Sequence, residues 1–195
     1  PLDVSKLQAT AFVCMPGHKG LYGPQGTGIM LCCKDVTLYS VLEGGTGSLS
    51  GESRQPDFLP DALESGTLNV PGIAGLGEGL RYLRRTGLDN IRKREQRQAR
   101  KCAEALDKMG FRVFFGDHQA GTVSFRCGLD CEEAAQRLAK QGIAVRAGLH
   151  CAPTAHESAG TLASGTIRIS FGHDASAEQT RRLLKAVEKL PRWKR

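Results

Sequence analysis

The chain has 195 residues, 40% of them hydrophobic, with 27 Lys and Arg against 20 Asp and Glu for a net charge of +7. That length and apolar content provide for one large domain, or one and a half small ones, with a real core. No run approaches the length of a membrane span, and the charged start Pro1-Leu2-Asp3-Val4 lacks a signal-peptide core, so a soluble cytoplasmic protein is expected.

The chain has no initiator Met and enters directly a pattern typical of the middle of a fold, so a truncated chain is expected. The 7 cysteines, at Cys14, Cys32, Cys33, Cys102, Cys127, Cys131 and Cys151, are odd in number and form no Cys-x-x-Cys pair. A disulfide framework and a zinc site therefore find little support, and no metal is expected. Most of these thiols lie in apolar runs and read as small buried hydrophobes; Cys151 does not.

Ala9–Val13 is a short apolar run and a candidate strand. Pro16-Gly17-His18-Lys19-Gly20 and Gly23-Pro24-Gln25-Gly26-Thr27-Gly28 follow, and their Gly and Pro content forbids helix and ladder alike. Ile29–Cys33 is a buried strand, so two strands flank a glycine-rich loop that presents His18 and Lys19. Residues 43–60 are rich in Gly, Ser and Pro and read as a long ordered loop, the kind that carries function or an interface. Gly66-Thr67-Leu68-Asn69-Val70-Pro71 is a second polar turn. Ile73, Leu76, Leu80 and Leu83 then recur at helical spacing, which predicts a helix over Pro71–Arg85 ended by Gly87. Asp89 is expected to cap a second helix, running to Met109 and closed by Gly110.

Beyond it, Phe111–Phe115 and Thr122–Arg126 read as strands, Cys131–Gln141 as a helix closed by Gly142, Ile143–Arg146 as a short strand and Thr166–Phe171 as an alternating strand. Ser176 caps a last helix through Leu190. The pattern predicts a small α/β domain after a long bridging helix, with a boundary between 1–85 and 86–195. Charge is uneven: residues 1–80 hold 4 Lys and Arg against 8 Asp and Glu, and residues 81–195 hold 23 against 12. The cluster Arg92, Lys93, Arg94, Arg97, Arg100 and Lys101 reads first as a solvated helix face. Without interleaved aromatics it supports no nucleic-acid surface, and an acidic protein partner is the other reading.

Three segments carry chemistry. Gly17-His18-Lys19-Gly20 holds a lysine where a cofactor can approach the backbone, as a Schiff-base lysine requires; by itself it also fits an exposed turn lysine. In Arg146-Ala147-Gly148-Leu149-His150-Cys151-Ala152-Pro153 the cysteine lies in a loop, where Arg146 and His150 would favour its nucleophilic form; a structural loop cysteine fits as well. Arg168, in the apolar strand Thr166-Ile167-Arg168-Ile169-Ser170, must meet a carboxylate, either internal or from a ligand.

In order and spacing these segments resemble the cysteine desulfurases of the class V aminotransferase group. His18-Lys19 with Gly23-Pro24-x-Gly26-x-Gly28 resembles their cofactor-lysine loop, and Glu64-Ser65-Gly66-Thr67-x-Asn69 with Gly72-Ile73 a phosphate-contacting segment. Arg146-x-Gly148-x-His150-Cys151-Ala152 resembles the catalytic cysteine loop, and Thr166-x-Arg168-x-Ser170 the carboxylate-binding strand. The likeness covers residues 3–190. Pro16 departs from it, standing where many relatives have a small or hydroxyl residue.

The resemblance implies the C-terminal part of a fold type I transferase dependent on pyridoxal 5′-phosphate. That part comprises the end of the large-domain sheet, the bridging helix and the small α/β domain. The preceding half would hold the His that stacks on the cofactor, the Asp on its ring nitrogen and the phosphate loop. Lys19 and Cys151 are then the catalytic residues. Lys19, His18 and Thr67 bind the cofactor, Thr67 across a homodimer; Arg168, Arg146 and His150 contact the substrate. The implied reaction turns L-cysteine into L-alanine. A persulfide on Cys151 is passed to an acceptor protein or thiol, as in iron–sulfur cluster assembly. Selenocysteine lyase and class V aminotransferase activities share the architecture, and a fragment serving only dimerisation or partner docking is a further alternative.

Overall fold

The computed structural model describes residues 3–7, 12–32 and 36–193, and the chain divides into two compact units, Pro1–Leu88 and Asp89–Arg195.

The first unit is built on a hairpin and one helix. β1 (Phe12–Pro16) pairs antiparallel with β2 (Gly28–Cys32), with Phe12 opposite Cys32 and Pro16 opposite Gly28. The sequence placed these strands at Ala9–Val13 and Ile29–Cys33; residues 8–11 and Cys33 lie outside the described residues. Within the described part β1 runs on through Met15 and Pro16. Gly17 N–H donates to Thr27 O at 2.8 Å. The next pair, Pro16 with Gly28, is then a non-hydrogen-bonded one, so the missing proline N–H costs no ladder bond. Cys14 is exposed on β1, against the expectation of a buried thiol.

α1 (Val70–Thr86) starts at Asn69, whose side chain accepts from Gly72 N, and has Pro71 in its first turn. Leu76 and Leu83 are buried on its inner face. A Cβ on Gly79 would lie 2.6 Å from Leu21 O, and one on Gly23 would lie 2.6 Å from Leu76 Cδ1. The absence of side chains there lets the hairpin loop lie directly on α1. The loop over residues 43–60 is ordered by short 3-10 turns at Gly47–Leu49 and Asp61–Leu63, and Gly66 N–H donates to Gly45 O.

The second unit begins with α2 (Leu88–Lys108). Asp89 lies inside its first turn rather than at the cap. Gly110, at φ 83°, closes it, with Phe111 N–H returning to Leu106 O at 3.2 Å. The clustered basic residues Arg92, Lys93, Arg94, Arg97, Arg100 and Lys101 along it are all exposed.

A four-stranded antiparallel sheet follows, in the order β3-β4-β6-β5, from β3 (Arg112–Phe114), β4 (Thr122–Arg126), β5 (Arg146–Gly148) and β6 (Thr166–Ser170). α3 (Cys131–Ala139), α4 (Pro153–Ser158) and α5 (Ala177–Val187) complete the unit. α3 is capped by Asp130, and α5 by a reciprocal box between Ser176 and Gln179.

The core is one cluster. Ala99, Cys102 and Leu106 of α2, Leu138 of α3 and Leu183 and Val187 of α5 close over Val123, Phe125, Ile167 and Ile169 of the sheet. Each fully buried large side chain contributes about 1.5–3 kcal/mol. Strand alternation puts Ser124 and Arg168 on the opposite, polar face.

Two expectations here are corrected. The short strand is not Ile143–Arg146 but Arg146–Gly148, because pairing selects the residues that face β6: Arg146 opposite Arg168, Ala147 opposite Ile167, Gly148 opposite Thr166. Residues 153–158, for which the sequence predicted no element, form α4, whose only local start signal is Pro153, since Ala152 makes no side-chain cap.

Candidate active site

In the first unit, residues 17–27 form a closed loop. Gly17 is buried, and a Cβ there would fall 2.2 Å from Thr27 Oγ1. Gly23 N–H donates to Gly17 O at 2.8 Å, and Tyr22 adopts φ 59°. This bracing presents His18 and Lys19 outward, both exposed. Among the described residues neither side chain has a hydrogen-bond or ion-pair partner, so no protein contact holds the Lys19 amine. Thr67 is exposed just before α1, and its hydroxyl makes no bond to His18 or Lys19.

In the second unit the remaining candidates converge. Arg146 and Arg168 are directly opposed across β5 and β6. Like charges facing each other across a sheet repel, and among the described residues neither has a carboxylate partner. Arg146 Nη2 donates instead to Cys151 Sγ at 3.4 Å. Arg168 is half-buried, and its Nε is buried with no hydrogen-bond partner. Of the two partners the sequence left open for Arg168, an internal carboxylate is therefore absent among the described residues.

The cysteine loop leaves β5 at Gly148, at φ 98°, and turns through His150 and Cys151 at φ 54° and 59°. Two consecutive non-glycine residues in the left-handed region are held at a cost of order 1–3 kcal/mol each. What holds them is visible: His150 Nε2 is hydrogen-bonded with Thr166 Oγ1 at 2.9 Å, and Ala152 N–H donates to Leu149 O at 2.9 Å. The turn leaves Cys151 exposed.

Behind it, His156 is buried and hydrogen-bonded through Nδ1 with Thr161 Oγ1 at 2.8 Å, its ring 5.5 Å from that of His150. Sequence reasoning missed this second histidine, because only the unrecognised α4 brings it under the loop. Burial, then the nearby Arg168, His156 and Arg146, lower the His150 imidazole from 6.5 to about 4. His150 is thus neutral near pH 7, and its Nδ1 is buried without a partner. It anchors the loop rather than supplying positive charge to Cys151. By contrast, burial pushes the Cys102 thiol up to about 12, as befits an inert core cysteine.

The arrangement is an exposed thiol in contact with the Arg146 guanidinium, with Arg168 opposite Arg146 on the next strand and its Nε buried without an acceptor. It suits a small molecule carrying a carboxylate whose other end meets the thiol.

The family model described as aminotransferase class-V matches residues 1–183. A probable cysteine desulfurase of Pyrococcus abyssi is 33% identical over 97% of this chain and 48% of its own length. A solved cysteine desulfurase of Escherichia coli, CsdA, superposes with a TM-score of 0.84 at 30% identity, over 97% of this chain and 48% of its own. The apo cysteine desulfurase of Thermococcus onnurineus gives 0.79 at 31% identity, over 92% and 46%. The chain spans about half the length of the curated relatives it matches.

Proposed function

Since the chain belongs to the class V aminotransferase family, we propose that it is the lysine- and cysteine-bearing part of a cysteine desulfurase dependent on pyridoxal phosphate. The observation that carries this reading is the Cys151 loop. Its thiol contacts Arg146, and Arg168, opposite Arg146 across the strands, has a buried Nε without an acceptor, which fits the carboxylate of an amino acid substrate.

The lysine loop fits the cofactor equally. Lys19 has no competing partner, and the glycine-braced turn leaves its side chain exposed. Lys19 would hold the cofactor covalently, His18 and Thr67 would contact it, and when bound it supplies the electron sink for chemistry at the substrate carbons. The Lys19 amine moves the proton at the substrate α-carbon. Arg168 holds the substrate carboxylate bidentately. Cys151 Sγ bonds to the substrate sulfur as the carbon–sulfur bond breaks, leaving a persulfide on Cys151 and, once a proton is returned to carbon, alanine. The persulfide then passes to an acceptor protein or thiol.

Two substitutions in the complete protein, of which this chain matches about half the length in its relatives, test this. Lys19→Ala is expected to abolish both the cofactor's visible absorbance and sulfide release from cysteine. Cys151→Ser is expected to keep the absorbance and lose the release. Sulfide release persisting in Cys151→Ser would remove the thiol from the reaction.

A further inference from the structure

We infer that Arg146 is the residue that positions the Cys151 sulfur for attack, a role separate from the carboxylate-holding role of Arg168 and resting on the desulfurase reading of Cys151.

Three observations carry it. The first is the contact itself, Arg146 Nη2 donating to Cys151 Sγ at 3.4 Å. The second is the pairing of Arg146 with Arg168 across β5 and β6. Like charges directly opposite across a sheet repel, and among the described residues neither arginine has a carboxylate to offset this. Arg168 retains a buried, unpartnered Nε, whereas Arg146 is exposed and already engages sulfur. The pair therefore divides: one guanidinium for the incoming carboxylate, the other for the thiol.

The third observation is the backbone. His150 and Cys151 both hold left-handed conformations, and His150 spends its Nε2 on Thr166. That anchor fixes the chain up to position 150 and leaves the Cys151 side chain exposed, with Arg146 as its side-chain partner among the described residues. A planar guanidinium on a strand is a rigid donor, so the contact limits where the sulfur lies. Attack rates are steeply sensitive to such placement.

The test reads the thiol directly and needs no cofactor turnover. Alkylation of Cys151 by neutral iodoacetamide and by anionic iodoacetate is followed by peptide mass spectrometry, with exposed Cys14 as the internal control. Arg146→Gln is expected to change the iodoacetamide rate at Cys151 by roughly tenfold, the scale of losing one charged hydrogen bond, while Cys14 is unaffected. Arg168→Gln is expected to lower the preference for iodoacetate over iodoacetamide and leave the iodoacetamide rate unchanged. Arg146→Lys, which keeps the charge and loses the planar fork, is expected to fall between wild type and Arg146→Gln.

In turnover, Arg146→Gln should lower kcat with KM little altered, and Arg168→Gln should raise KM. An iodoacetamide rate at Cys151 that is the same in wild type, Arg146→Gln and Arg146→Lys overturns the assignment even if Cys151 proves essential. A Cys151→Ser protein that still releases sulfide instead overturns the desulfurase reading, whatever the alkylation rates.

Discussion

His150 illustrates how a residue's chemistry is set by its surroundings. With its imidazole lowered to about 4 from the ordinary 6.5, folding favours the neutral ring. Above pH 6.5 neither the folded nor the unfolded chain carries the proton, and His150 adds no pH dependence. Between 6.5 and 4 the unfolded chain takes up a proton that the folded ring refuses, so acidification through this window favours unfolding. Urea unfolding measured across pH 4–7 is expected to show stability falling toward acid, with the slope reduced in His150→Gln. An NMR titration midpoint for His150 near 6.5 would contradict this.

At the same scale, Lys19, Cys151 and Arg168 were legible as candidates because residue type and neighbours suffice to suggest them: a lysine among glycines, a cysteine before proline, an arginine in an apolar strand. That His150 is uncharged was not legible. It depends first on burial of the ring and then on Arg168, brought close from β6, and on His156.

At the scale of elements, the cysteine loop depends on where β5 and β6 meet. Gly165, at φ 59°, precedes β6, and a Cβ there would stand 3.0 Å from Gly148 Cα and 3.0 Å from Cys131 Sγ. Gly165→Ala is therefore both conformationally strained and crowded against backbone that cannot move without shifting Gly148, where the cysteine loop begins. Its expected outcome is a loss of about 1–3 kcal/mol in urea unfolding together with loss of the Cys151 reactivity. Unaltered stability would mean that β5 is free to move.

Helices α1, α2, α3 and α5 were predictable from local signals, the closing glycines of the first three and the Ser176 cap of α5, although Asp89 is not the cap of α2. β5 was misplaced by three residues at each boundary or fewer, and α4 was missed. For β5 the deciding contact is its pairing with β6, which is distant in the chain; α4 carries His156 itself, whose bond to Thr161 lies just past the end of the helix.

For the molecule as a whole, the distribution of buried apolar residues differs between the two units. Among the described residues of Pro1–Leu88 only Ala62, Leu76 and Leu83 are buried hydrophobics, whereas the cluster from Ala99 to Leu190 lies wholly within the second unit. Residues 89–195 expressed alone are expected to unfold cooperatively, because they bury a contiguous core without help. Residues 1–88 alone are expected to lack a cooperative transition in thermal melts followed by circular dichroism, since so small a core does not offset chain entropy.

The sequence by itself determined the family, the lysine loop, the presence of helices α1, α2, α3 and α5 and the alternation that puts Arg168 between Ile167 and Ile169, because these are properties of neighbouring residues. The tertiary structure alone decided two things: the facing of Arg146 and Arg168 and the neutral state of His150. Strand register and burial are set by partners distant in the chain, and no local pattern encodes them.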